Sequence, residues 1–290
     1  MAQDYEATFP RDAWLDDLVS RSIAEDVGVG DASTAVTVGA DVTGTAAVVA
    51  RQEGVVAGLP LLDILFTGLD PRMIVTRLVT DGARVAPGQT VATIAGPAAT
   101  LLTGERTALN FLQHLGGIAT LTARYVTAVA GTGCMVLDTR KTLPGYRHLA
   151  KYAVRCGGGN NHRMGLYDRI MLKDNHWAAA ETSLAELVTK ARRLYPGLPI
   201  EVEVDSLDQL KLVLPLQVEW ILLDNFSVAD TSRAVAVRRE QQSTTLLESS
   251  GNVDLDTVGG YAAAGVEAVS IGRLTHSAPA LDIGLDMDTP

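Results

Sequence analysis

The sequence predicts an α/β protein whose C-terminal half is a parallel sheet of repeated βα units, and three observations support this. Short apolar runs recur after Gly133, each ending in polar or glycine residues: MVLDTRK, RIMLKDNH, IEVEVDS, EWILLDNF, TTLLESSGN and AVSIGRLT. The steps between their ends are roughly 20 to 35 residues, and amphipathic stretches such as Leu184 to Tyr195 lie between them. The runs are continuously apolar, as a sheet buried on both faces requires. Six visible units predict a closed or nearly closed barrel rather than a full eight-unit one, with an open doubly wound sheet as the competing fold. In either fold the C-terminal strand ends form the ligand face. That would gather Asp138, Arg140, Lys141, Lys173, Glu203, Asp224, Ser250 and Gly272 around one mouth.

The elements before the barrel read as follows. The N-terminus, MAQDYEATFPRD, is acidic and has no apolar core segment, so no signal peptide is expected. Trp14, Leu15, Leu18, Val19 and Ile23 give helical spacing from Asp12 to Ala24. TGTAAVVARQEGVVAG and DGARVAPGQTVATIAG are β-rich with glycine and proline punctuation. The second resembles the glycine-turn hairpins of lipoyl-type β-sandwiches. It has no lysine at the hairpin tip, so it reads as scaffold. Glu105 to Val129 then has a long helical pattern, with Thr103 as its expected N-cap and Gly116-Gly117 as an expected weak point or break.

Composition narrows the function. The chain has 290 residues, 47% hydrophobic and 20% charged, with a formal net charge of −10. The acidic total argues against a general nucleic-acid surface, and no stretch of 18 uncharged apolar residues suggests a membrane span. Cys134 and Cys156 have no metal-like spacing and read as reduced thiols of a cytoplasmic protein, Cys134 as core packing. The histidines lack zinc spacing, so no zinc is expected, and neither a Walker lysine motif nor a G-x-G-x-x-G after the first strand supports a nucleotide fold.

Against that acidic background, the window from Asp138 to Lys173 holds eight Lys or Arg and two acids. Arg147, Lys151 and Arg155 follow i, i+4 spacing and fit a solvated helix face as well as a functional one. Arg140, Lys141 and Lys173 sit at strand ends, where clustered like charges are costly unless an anion neutralises them. Arginine offers a fork for carboxylate or phosphate and lysine a point charge, so the expected ligand is a small molecule with several negative groups. The turns in ESSGN and SIGRLT can cradle a phosphate with backbone N–H groups. Glu203 and Asp224 face this cationic wall, to hold Mg²⁺ bridged through a pyrophosphate or to stabilise a cationic transition state. One of them as a buried partner for Lys173 is the plainer reading.

ERTALNFLQHLGGIAT, DTRKTLPGYRHLAKYAVRCGGGNNHRMGLYDRIMLKDNH, EVEVDS, LLDNF, ESSGN and SIGRLTHSAPALDIGLDM together resemble the quinolinate phosphoribosyltransferase family over nearly the whole chain. The resemblance implies an N-terminal α/β sandwich domain at 1–114, an incomplete TIM-like α/β barrel of about six or seven strands at 115–275, and a C-terminal segment at 276–290 returning to the N-terminal domain. It implies the synthesis of nicotinate mononucleotide, pyrophosphate and CO₂ from quinolinate and phosphoribosyl pyrophosphate with Mg²⁺, in de novo NAD biosynthesis, by a homodimer. By position, Arg140, His162, Arg163 and Lys173 look like the grip on quinolinate, and Lys141 like a contact to either substrate. Arg106 resembles an arginine supplied across the dimer interface. Glu203 and Asp224 look like the acids near the ribose and metal, and Ser250, Gly251 and Gly272 resemble the 5′-phosphate cradle. The three glycines at 157–159 would let the backbone turn so that His162, Arg163 and Lys173 converge on a dianion. Asn252, where the family often has a second glycine, and Arg273, where a small residue is usual, depart from the pattern. The alternatives are a related phosphoribosyltransferase acting on another base such as nicotinate, a Schiff-base aldolase using Lys173, and a non-catalytic sensor of phosphoribosyl pyrophosphate.

Overall fold

The computed structural model describes residues 8–288 except 174, 175, 177, 178 and 181, so two residues of the KDNH run lie outside it. In chain order the first elements are α1 (Ala13–Val27), α2 (Ala32–Thr37), β1 (Thr43–Ala50), β2 (Gly54–Val55), α3 (Pro60–Leu69), β3 (Ile74–Arg77), β4 (Arg84–Val85), β5 (Thr90–Pro97) and α4 (Ala98–Ala128). Then come β6 (Met135–Leu137), α5 (Arg147–Cys156), β7 (Ile170–Leu172), α6 (Leu184–Leu194), β8 (Ile200–Val204), α7 (Leu207–Val213) and β9 (Trp220–Asp224). α8 (Val228–Glu240), β10 (Leu246–Ser250), α9 (Val258–Ala264), β11 (Ala268–Ser270), α10 (Arg273–His276) and β12 (Ile283–Asp288) complete the order. The chain divides into two compact units: one comprises the residues up to Ala123, Pro144–Gly158 and those from Ser277 onward, the other Arg124–Leu143 and Gly159–His276.

In the first unit an antiparallel sheet runs β12-β1-β5-β3, with β2 paired to β4 alongside. The chain end thus supplies an edge strand, Ile283 pairing with Ala50. α1 starts where Asp12 accepts the Leu15 amide at 3.2 Å, and it buries Leu15 and Val19. α4 runs unbroken through Gly116-Gly117, contrary to expectation. The reason is packing: a Cβ on Gly117 would stand 2.1 Å from the Pro279 carbonyl oxygen, so the missing side chains admit the returning segment. Its contacts offset the roughly 1 kcal/mol that each helical glycine costs. Thr103 does not cap this helix either. It lies within the first turns of α4, and its hydroxyl donates to Asp31 at 3.1 Å.

The second unit is a six-stranded parallel sheet ordered β6-β11-β10-β9-β8-β7. Sequential strands are neighbours from β7 to β11, and the first strand pairs with the last. An open doubly wound sheet reverses direction at a switch point. This order has no reversal, so the barrel reading holds. On the far edge of β6 the chain adds one further bridge, Leu137 to Asn160, and the barrel is incomplete. The parallel register sets Asp224, Ser250, Ser270 and Leu137 in one row at the C-terminal ends. Two rows lower on β8 and β9, Glu203 lies level with Leu222, which in turn lies level with Glu248.

Candidate active site

The end of β6 starts the site. Asp138 follows directly and is fully buried. Its carboxylate accepts the His162 amide at 2.9 Å and the Asn161 side-chain amide, which ties the 160–163 strand-like segment to β6. Arg140 and Lys141 come next, both exposed. The Lys141 carbonyl accepts the Thr275 hydroxyl at 2.9 Å, and its stem crosses Gly272, where a Cβ would come within 2.8 Å of Cδ. Glycine at 272 thus leaves room for the Lys141 stem beside the end of β11.

Of the three glycines at 157–159, Gly158 takes a positive φ of 82°, and the chain reaches His162 from there. His162 is 7% exposed and sits inside the barrel rather than at its mouth. Its Nδ1 accepts the Arg163 amide at 2.7 Å. Nε2 lies 3.1 Å from Glu201 and 3.4 Å from Glu248, both fully buried. Burial pulls the imidazole pKa down, but the two carboxylates outweigh it and push it up to about 9. A second ring proton would have to displace the Arg163 amide from Nδ1. Arg163 itself is half-buried, and burial together with neighbouring Arg140 lowers its pKa. Neighbouring guanidinium groups of like charge favour a bound anion.

Lys173 directly follows β7, and its ammonium pairs with Glu203, which projects from β8. Glu203 is thus a partner of Lys173, though half-buried rather than buried. Asp224 ends β9 and accepts the Asn225 side-chain amide at 2.9 Å. Ser250 ends β10, and Gly251 follows with φ 91°, where a Cβ would lie 2.2 Å from Asn225 Oδ1. Asn252 takes φ 53°, a left-handed conformation that asparagine tolerates better than most residues. Its amide donates to Asn225 at 3.1 Å, so the departure from glycine keeps the turn and adds a brace. Arg273 is exposed, and its charge acts on Tyr125 and Asp254.

The structure thus brings Arg140, Lys141, Arg163, Lys173, Glu203, Asp224, Ser250, Gly251 and Gly272 to the strand ends of one barrel, with His162 below them. Arg106 belongs to the first unit, exposed on α4. Of the doubtful helical cations, Lys151 is fully buried in α5, which is no solvated face. Sequence reasoning missed Glu201, Glu248 and Arg169. Acidic residues within apolar strand runs were the available sign, because a strand covered on both faces has no solvent side for a charge.

Two residue sets offer metal ligands. Glu203, on β8, and Asp224, at the end of β9, offer oxygen ligands, the kind taken by Mg²⁺, a hard ion held by one or two carboxylates and substrate phosphates. His162, Glu201 and Glu248 also converge, with ligand atoms within 4.8 Å of one another. There the Arg169 guanidinium already supplies positive charge, 3.2 Å from Glu201 and 3.4 Å from His162 Nε2.

The family models for the quinolinate phosphoribosyl transferase N-terminal and C-terminal domains match residues 31–116 and 118–286. The chain belongs to the quinolinate phosphoribosyltransferase family. The carboxylating nicotinate-nucleotide pyrophosphorylase of Mycobacterium leprae is 48% identical over 276 residues, which cover 93% of this chain and 96% of that protein. A protein described as the probable carboxylating enzyme of Synechocystis is 41% identical over 95% of this chain and 92% of its own length. The solved nicotinate-nucleotide pyrophosphorylase of Francisella tularensis superposes with a TM-score of 0.92 at 36% identity, covering 98% of this chain and 99% of its own. Family membership and this superposition agree with the incomplete TIM-like barrel read from the strand order.

Proposed function

We infer that this protein transfers the phosphoribosyl group of phosphoribosyl pyrophosphate to quinolinate with decarboxylation, giving nicotinate mononucleotide, pyrophosphate and CO₂ in de novo NAD biosynthesis. The observation that supports the reading is the placing of Arg140, after β6, and Lys173, after β7, at the strand ends of one barrel, with half-buried Arg163 near enough to Arg140 for the two charges to oppose each other. A doubly charged pyridine relieves that repulsion, whereas nicotinate, with one carboxylate, relieves half of it.

Arg140, Arg163 and Lys173 grip the two carboxylates, with His162 supporting Arg163 from beneath. Lys141, stretched over Gly272, contacts either substrate. Ser250, Gly251 and Gly272 cradle the 5′-phosphate through backbone N–H groups. The bond from the ribose anomeric carbon to pyrophosphate breaks through an oxocarbenium-like state, and Glu203 and Asp224 stabilise the positive charge that develops. The pyridine nitrogen takes the anomeric carbon. The adjacent carboxylate then leaves as CO₂, the positive ring nitrogen stabilises the electron pair left on the ring carbon, and a proton from solvent takes up that pair to give nicotinate mononucleotide. Glu203 and Asp224 would hold Mg²⁺, directly or through water or pyrophosphate, and when bound it offsets leaving-group charge. Arg106 completes the site from a second copy in a homodimer; its exposure on α4, at 59% of the side chain, supports this. A cytoplasmic location accords with the free cysteines Cys134 and Cys156. Among the described residues no helix is long and apolar enough to cross a membrane.

The test is release of labelled CO₂ from carboxyl-labelled quinolinate in the presence of phosphoribosyl pyrophosphate and Mg²⁺. Stoichiometric CO₂ and nicotinate mononucleotide are expected. Efficient mononucleotide formation from nicotinate, with none from quinolinate, would overturn the reading.

A further inference from the structure

We propose that Glu201, Glu248 and Arg169 are positioning residues for Arg163, a buried brace that fixes the quinolinate grip from inside the barrel through His162. The proposal rests on the quinolinate reading above.

Two routes reach Arg163 from the same carboxylate. In the first, Glu201 and Glu248 face His162 Nε2 at 3.1 and 3.4 Å, and the opposite ring nitrogen accepts the Arg163 amide at 2.7 Å. Both faces of the ring are thereby engaged, which sets its rotation and aims the Arg163 backbone. In the second, Glu201 accepts from the Arg169 guanidinium at 3.2 Å, and Arg169 lies over the Trp220 ring at 5.4 Å. The Arg169 carbonyl in turn accepts the Arg163 guanidinium at 3.2 Å. Both the backbone and the charged tip of Arg163 are therefore held by a network that converges on Glu201.

Fold stability gives no reason to keep these groups. Glu201 and Glu248 are both fully buried, and both carboxylates face the same His162 ring nitrogen. An apolar set of similar volume in a barrel core is often as stable or more so. Two carboxylates buried side by side call for an explanation in function.

The test compares Glu201→Gln, Glu248→Gln and Arg169→Lys in the full-length protein, measuring kcat, KM for each substrate and Tm. Glu201→Gln cuts both routes and is expected to raise KM for quinolinate roughly tenfold or more, since a misplacement near 1 Å at a binding group can cost up to about a hundredfold. Glu248→Gln and Arg169→Lys each weaken one route and should raise it less, with KM for phosphoribosyl pyrophosphate within about twofold of wild type. In an Arg163→Lys background the Glu201→Gln effect should largely vanish, because the brace acts through Arg163. Additive effects, equal changes in both KM values, or a loss confined to Tm would overturn the proposal. A stoichiometric metal ion in the purified protein that Glu248→Gln removes would also overturn it. If Glu201→Gln does not fold, the Arg169→Lys and Glu248→Gln pair decides. Failure of wild type to release CO₂ from quinolinate would sink the functional reading itself, and the brace with it; a normal wild type with unchanged variants sinks the brace alone.

Discussion

Each unit sets a carboxylate against a ring, half-buried in the first and fully buried in the second, and the two are treated in different ways. In the first unit Asp81 accepts the Tyr152 hydroxyl at 2.6 Å and the Gly58 and Leu59 amides at 2.8 and 3.0 Å. Those amides precede Pro60–Leu69, so Asp81 satisfies the start of α3, and its pKa is raised by burial with the three donors acting against that shift. In the second unit fully buried Glu248 faces the His162 ring at 3.4 Å, and burial, then the nearby Glu201 charge, raise its pKa against the pull of His162 and Ser270. A carboxylate given three donors at a helix start holds secondary structure together. One buried beside a second carboxylate is retained at a cost in stability where something else depends on its position.

The comparison can be broken or sharpened by substitution, and the largest effect belongs to the barrel mouth. Arg140→Ala should lose about 2–5 kcal/mol of transition-state binding, or roughly 30- to several-thousand-fold in kcat/KM for quinolinate, with Tm little changed. Unaltered kcat/KM would remove Arg140 from the grip. Asp81→Ala should orphan three donors and cost roughly 3 kcal/mol of stability by urea denaturation, while KM for quinolinate stays within about threefold. A larger change in quinolinate KM than in stability would erase the contrast between the two acids. Gly251→Ala forces a side chain into φ 91° against Asn225, and strain of about 1–3 kcal/mol should appear as weaker phosphoribosyl pyrophosphate binding. Asn252→Gly removes the left-handed asparagine and its bond to Asn225, and the two opposing effects should leave KM for phosphoribosyl pyrophosphate within about threefold.

The smallest effect is expected at half-buried Asp70, the C-cap of α3, whose carboxylate accepts the Arg72 guanidinium and amide. Those bonds lower its pKa to about 2. Its contribution to stability is therefore present above the unfolded value near 3.8 and is lost as pH falls through about 2. Asp70→Asn should flatten that acid limb of the stability curve slightly and leave the neutral region almost unchanged.

Much of the barrel was legible in sequence because its signals are local. Apolar runs of five or so residues, helical spacing between them, and polar residues at their ends are written within single βα units. Arg140, Lys141, Lys173, Glu203 and Asp224 were found at those ends for that reason. The continuity of α4 was not legible, because Gly116-Gly117 read as a break until the returning 279–281 segment was seen to need the space. His162 was placed in the grip by its position in the family motif, and its contacts with buried Glu201 and Glu248 were not legible there. Glu201 and Glu248 were overlooked for a related reason: each lies in an apolar strand, and nothing nearby in sequence says what it faces.

The order of elements, the barrel rhythm and the collection of cations opposite two acids were determined by the sequence alone, since periodicity and turn chemistry act over a few residues. Only the tertiary structure decided which acid meets which base: Glu203 with Lys173 at the mouth, Glu201 and Glu248 with His162 below. Those pairings join strands 30 to 86 positions apart, from His162 to Glu248 at the longest, and depend on strand register, which side chains separated by whole βα units cannot reveal until the sheet closes.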